Sequence, residues 1–185
     1  MDAGEHLDIE NRRRIYQRVC SHPGEHMREL QRALDMPMGL LGHHLNYLVE
    51  HGIISSRPDR YYKRYYPSEM GAREKTFLSA LRQERPRAIV LHLVLNPGRT
   101  HRELLEHFGL SPSTLSFYLK DLEAKGVVRR TKAGRESLFE VEPVEEVVRV
   151  LITHRPSFLD SVVDRFLEVW FEKPADETAR LDKGT

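Results

Sequence analysis

The chain has 185 residues, 39% of them hydrophobic and 31% charged, with a mean hydropathy of −0.54 and a formal net charge of +1. That is enough material for two small domains and too polar for a membrane protein, since no apolar run approaches the ~20 residues of a bilayer span. The opening MDAGEHLDIENRRR lacks a signal-peptide core, and the single Cys20 can form no internal disulfide, so a soluble cytoplasmic protein with a buried structural thiol is expected.

In chain order, Asp8 is expected to cap a first helix running to about Ser21, with Ile15, Val19 and Cys20 inward, before the His22-Pro23-Gly24 turn. A short helix over about 26–34 buries Met27, Leu30 and Leu34. A third, about 38–51, places Leu41, Leu45 and Leu48 on one face and stops at Gly52. Ile53-Ile54 opens a strand, Arg57-Pro58-Asp59-Arg60 turns, and the tyrosine-rich stretch 61–66 returns. Ser68 is placed as the cap of a linking helix to about Gln83, which Arg85-Pro86 breaks.

The same order then recurs. An apolar helix covers 88–95, Thr100 and Glu103 have capping-box spacing for a helix ending at Phe108, and Ser111-Pro112 begins a third helix that Gly126 ends. Strands 127–131 and 136–142 flank the turn Lys132-Ala133-Gly134-Arg135. Beyond Pro143 a helix carries Val144, Val147, Val148, Leu151 and Ile152. Ser157 is read as the cap of a last helix whose aromatic double stripe, Phe158 to Phe171, must be buried against something. The resulting division is 1–67 and 87–142 as two equivalent domains, 68–86 as a linking helix, 143–173 as a helical pair and 174–185 as a polar, disordered tail.

The recurrence is gap-free. Shifted by 74 positions, Ile15–Ile54 falls on Ile89–Val128, so that Pro23-Gly24 meets Pro97-Gly98, Arg28-Glu29-Leu30 meets Arg102-Glu103-Leu104, and Gly52 meets Gly126. Each copy reads as a helix-turn-helix followed by a β-hairpin, a mainly α fold with small β wings. The run Arg102-Glu103-Leu104, Leu110-Ser111-Pro112-Ser113-Thr114-Leu115-Ser116 and Leu122-Glu123-Ala124-Lys125-Gly126 resembles the winged helix-turn-helix transcription regulators. In particular it is similar to tandem archaeal regulators related to the MarR-like and ArsR-like types. The resemblance covers about 9–142 and implies a DNA-binding regulator whose recognition helix enters the major groove. Phe117 departs from the polar or basic residue common at that position in the family.

On this reading Ser113, Thr114, Ser116, Phe117 and Lys120 form the DNA-facing side of the second recognition helix. Arg129, Arg130, Lys132 and Arg135 form a basic wing for the flanking minor groove and phosphates, within the stretch KGVVRRTKAGR. Four phosphate contacts would give a log–log salt slope of about −3 to −4. In the first copy the candidates are His43 and His44 on the third helix and Arg57, Arg60, Lys63 and Arg64 on the hairpin. Gly39 and Gly42 there imply either a close approach or a degenerate site. Positive charge is in excess over 68–142, with 13 Lys/Arg against 10 Asp/Glu, and negative charge over 143–185, with 6 against 9.

No metal or cofactor is expected. Adjacent His43 and His44 diverge by about 100° on a helix, and there is no Cys pair or ArsR-type sensor box. There is no phosphate-binding glycine loop, dinucleotide fingerprint or serine elbow, so an enzyme is not expected. Two partner readings stay open beside double-stranded DNA. The face could serve as a protein-interaction module, and the Phe158–Phe171 helix could either dock on its own domain or form a homodimer.

Overall fold

A computed structural model describes residues 3–59, 61–158 and 161–172. The chain separates into two compact units, Met1–Gln83 and Glu84–Thr185. The tail after Glu172 lies outside the described residues.

The first unit runs α1 (Ala3–Ser21), α2 (Met27–Leu34), α3 (Met38–Glu50), β1 (Ile54–Asp59), β2 (Tyr62–Pro67) and α4 (Ala72–Leu81). Ile15 and Val19 of α1, Leu30 of α2 and the α3 stripe Leu41, Leu45 and Leu48 close one apolar core with Ile54 and Tyr65. Asp8 does not cap α1. The helix continues upstream to Ala3 and Asp8 sits within it, 3.8 Å from Arg12 one turn on. Cys20 is half-buried. Ser68 does not cap α4 either: its Oγ donates to the Gly52 carbonyl, and the N-cap is Gly71. The turn expected at Arg57–Arg60 is strand as far as Asp59, which pairs with Tyr62. Pro58 is tolerated because a two-stranded ribbon leaves outward positions that need no N–H donor.

The second unit runs α5 (Glu84–Leu95), β3 (Arg99–Thr100), α6 (His101–Phe108), α7 (Pro112–Ala124), β4 (Val128–Ala133), β5 (Glu136–Val141), α8 (Val144–Thr153), a 3-10 turn (Arg155–Ser157) and α9 (Ser161–Glu172). Pro86 falls in the first turn of α5, where its missing N–H has no intrahelical partner to lose. Ser157 belongs to the 3-10 turn, where its Oγ donates to the His154 carbonyl, and does not cap α9. The inner face of α9 is buried through Val163, Phe166 and Leu167, and the helix packs on α5. Val169 and Phe171 remain exposed, Phe171 at 68%.

Strand β3 is too short to announce itself in the sequence; it pairs Thr100 with Leu138 and makes a three-stranded sheet in the order β3-β5-β4. Its counterpart is the single bridge between His26 and Arg64, displaced by the same 74 residues. The offset also carries Gly24 N→Tyr65 O onto Gly98 N→Phe139 O, and the Ile54–Pro67 pairing onto Val128–Val141. Both second helices start with a full capping box, His26 with Glu29 and Thr100 with Glu103. The duplication is thus a repeat of backbone hydrogen bonds, strand register included.

Candidate nucleic-acid interface

In the second copy Ser111 is the N-cap of α7, its Oγ accepting from the Thr114 amide at 3.2 Å, with Pro112 at the first helical position. Leu115, Leu119 and Leu122 are buried. That anchoring turns Ser113, Phe117 and Lys120 to solvent, with Thr114 and Ser116 half-buried beside them. Ser113 and Thr114 hydroxyls lie 3.0 and 2.8 Å from the capping Ser111 oxygen, so three hydroxyls cluster over the first turn. Sequence reasoning missed His101: its Nε2 lies 3.0 Å from Ser116 Oγ, which holds that hydroxyl against α6. At the equivalent place in the first copy Met27 lies beside Gly42, so the His101–Ser116 contact shows only once the two helices are packed.

The wing is less uniformly cationic than KGVVRRTKAGR suggests. Arg129 is bracketed across the strands by Glu140 at 2.8 Å and by Glu142, which hold its guanidinium still more firmly protonated than usual. Arg130 lies 3.4 Å from Glu123 of α7, and Lys125 3.2 Å from Asp121. Lys132 and Arg135 are exposed and, among the described residues, meet no carboxylate. They flank the tip, where Gly134 adopts φ +64° in a two-residue turn.

The first copy holds its candidates differently. His44 does not face outward but is fully buried, the equivalent of Tyr118, because it is next to the Leu41–Leu48 stripe on the helical wheel. Neither of its ring nitrogens has a hydrogen-bond partner; Nε2 lies 3.6 Å from Asp8 Oδ1, and burial holds the imidazole below its usual pKa of 6.5 against the pull of that carboxylate. Arg64 is buried too, bonded to Asp59 at 2.6 Å and to the Gly24 carbonyl at 2.8 Å, and so cannot serve a partner surface. His43 and Lys63 are exposed; Arg57 is exposed with Nη1 donating to the Ala72 carbonyl. Arg60 lies outside the described residues. Gly42 has a packing reason, since an added Cβ would come within 3.0 Å of Met27 Cε, whereas Gly39 faces open space.

Two capped helices, a recognition-type third helix and a paired hairpin, given twice in one register, settle the architecture. The chain is a tandem winged helix-turn-helix protein. Residues 9–78 match an N-terminal helix-turn-helix domain family, HTH_HVO_0163_N, and residues 82–129 match the winged helix-turn-helix DNA-binding family, HTH_24. A curated relative, the HTH-type transcriptional regulator MJ1398 of Methanocaldococcus jannaschii, is 30% identical over 139 residues, which is 75% of this chain. The chain spans only 35% of that relative's length. Among solved structures, HlyU from Vibrio cholerae is 27% identical, with 46% of this chain and 91% of that one covered and a TM-score of 0.41. A MarR-family regulator from Rhodococcus is 20% identical, with 78% and 86% covered and a TM-score of 0.36. No described helix is long and apolar enough to cross a membrane.

Proposed function

We propose that this tandem winged helix-turn-helix chain is a DNA-binding transcriptional regulator, cytoplasmic and without catalysis of its own, whose second copy reads the duplex. The observation that carries this is the hydroxyl cluster at the start of α7. Ser113 and Thr114 gather at the Ser111 cap, with Ser116 and Lys120 further along the same helix, and the same unit carries the carboxylate-free pair Lys132 and Arg135 at its wing tip. Small hydroxyls at a helix N-terminus approach phosphates and base edges closely, and the tip cations fit the adjacent minor groove and phosphates. The exposed edge Val169 and Phe171 of α9 supports a homodimer.

The test is a salt series of binding to random duplex DNA, comparing wild type with the Arg129/Arg130/Lys132/Arg135→Ala variant. DNA binding requires a weaker affinity and a shallower log–log slope for the variant. Equal affinity and slope would favour the second reading, a protein-interaction module, for which Phe117, 53% exposed in the middle of α7, speaks.

A further inference from the structure

The two copies share a backbone but not the placement of their charge. In the second copy Arg102 on the outer face of α6 is matched by Glu106 one turn later, at 2.9 Å. The equivalents in the first copy are Arg28 and Arg32, so the carboxylate has become a second guanidinium. Both are exposed, and among the described residues neither meets a carboxylate; Arg32 Nε donates only to the Arg28 carbonyl, at 3.3 Å. They open onto a pocket of about 390 Å³ whose other walls are His26, Gln31, Met38 and Tyr62. The hairpin meets this pocket through Tyr62. The Tyr62 ring stacks on His26 with centroids 4.4 Å apart and 19° between planes, and the Arg64–Asp59 pair fixes the hairpin from inside. The second copy has Thr100 and Glu136 at the stacked positions and cannot form that closure.

We propose that this pocket grips a phosphodiester of the DNA backbone, which makes the first copy a sequence-blind clamp that adds affinity to the reading done by the second. The inference rests on the DNA-binding reading above. The walls supply guanidinium, amide and phenol donors and no acid, the donor set that suits a phosphate. Helix α2 is also the element that crosses the backbone when the following helix approaches a groove. An acidic peptide fits less well, because Met38 is the only aliphatic wall and offers little of the apolar anchoring on which peptide affinity depends.

The experiment measures salt slopes on random and preferred duplexes for wild type, Arg28→Gln/Arg32→Gln, Arg28→Lys/Arg32→Lys, and a wing variant, Lys132→Gln/Arg135→Gln. The clamp requires the glutamine pair to lose about 0.9 units of slope, the share of one phosphate contact, by the same factor on every duplex, with the lysine pair close to wild type. A glutamine pair with wild-type slope, alongside a wing variant whose slope falls, overturns the clamp and leaves the DNA reading intact. Unchanged slopes in both overturn the two together. A loss confined to the preferred duplex also overturns the clamp, as does retention of wild type but not the glutamine pair on immobilised poly-glutamate with their DNA affinities equal.

Discussion

Replacing Lys132 and Arg135 by glutamine should remove most of the wing's contribution to DNA affinity, whereas Arg129→Gln alone should remove little. Arg129 already faces Glu140 and Glu142, so a phosphate approaching it must compete with two carboxylates that stay in place. Lys132 and Arg135 face none. At about 0.9 units of slope per phosphate neutralised, losing both tip cations lowers the log–log slope by about 1.8. Between 50 and 200 mM salt, wild type should therefore lose about 12-fold more affinity than the double variant. Fluorescence anisotropy on a labelled random duplex across that range reads the difference directly. The complementary variant Glu140→Gln frees Arg129 in part and should tighten binding and steepen the slope. The reasoning fails if Arg129→Gln flattens the slope as much as the tip pair does, since cross-strand pairing would then have no bearing on which cations reach the duplex.

Three further outcomes follow from the packing. Gly39→Ala, in an exposed helix position with open space around it, should stabilise the first unit by about 0.5–1 kcal/mol in chemical denaturation, and Gly42→Ala should gain less because its Cβ meets Met27 Cε at 3.0 Å. Burial depresses the pKa of His44, so its contribution to stability is complete above 6.5 and is lost as the pH falls toward the folded value. His44→Leu should flatten that part of the pH–stability profile measured by thermal melting, and should cost little at pH 7.5 because no hydrogen bond is broken. Phe171→Glu should convert a dimer to a monomer in light scattering without loss of fold; an unchanged mass assigns the dimer seam elsewhere or removes it.

The helices were readable because their signals are local. The leucine stripes of α3 and α7, the Thr100–Glu103 and Ser111-Pro112 starts, and the glycines closing each third helix all act within one or two turns of the chain. The strand limits were not, because Pro58 and Asp59 look like turn residues until their partners Lys63 and Tyr62 are known. Surface charge was the least readable quantity. A run of basic residues can be seen in one dimension, but Glu123, Glu140 and Glu142, which match Arg130 and Arg129, come from other elements. Arg64 went the same way: its neighbours Lys63 and Tyr65 suggest an exposed strand, and only the 40-residue closure onto Gly24 shows why it is buried. His44 failed for a smaller reason, one helical position between the core stripe and the face beside it.

A chain that folds two hairpins of equal length and pairing presents each nascent strand with a wrong mate of the right shape. The internal Arg64–Asp59 bond discriminates between them. Were β2 to take the place of β5 in the other copy's sheet, Arg64 would find Ala133 where Asp59 should be and would lose its carboxylate partner, which costs stability. That penalty serves as an address label, steering each strand home and guarding the molecule against exchange between its own halves or between neighbouring copies on a polysome.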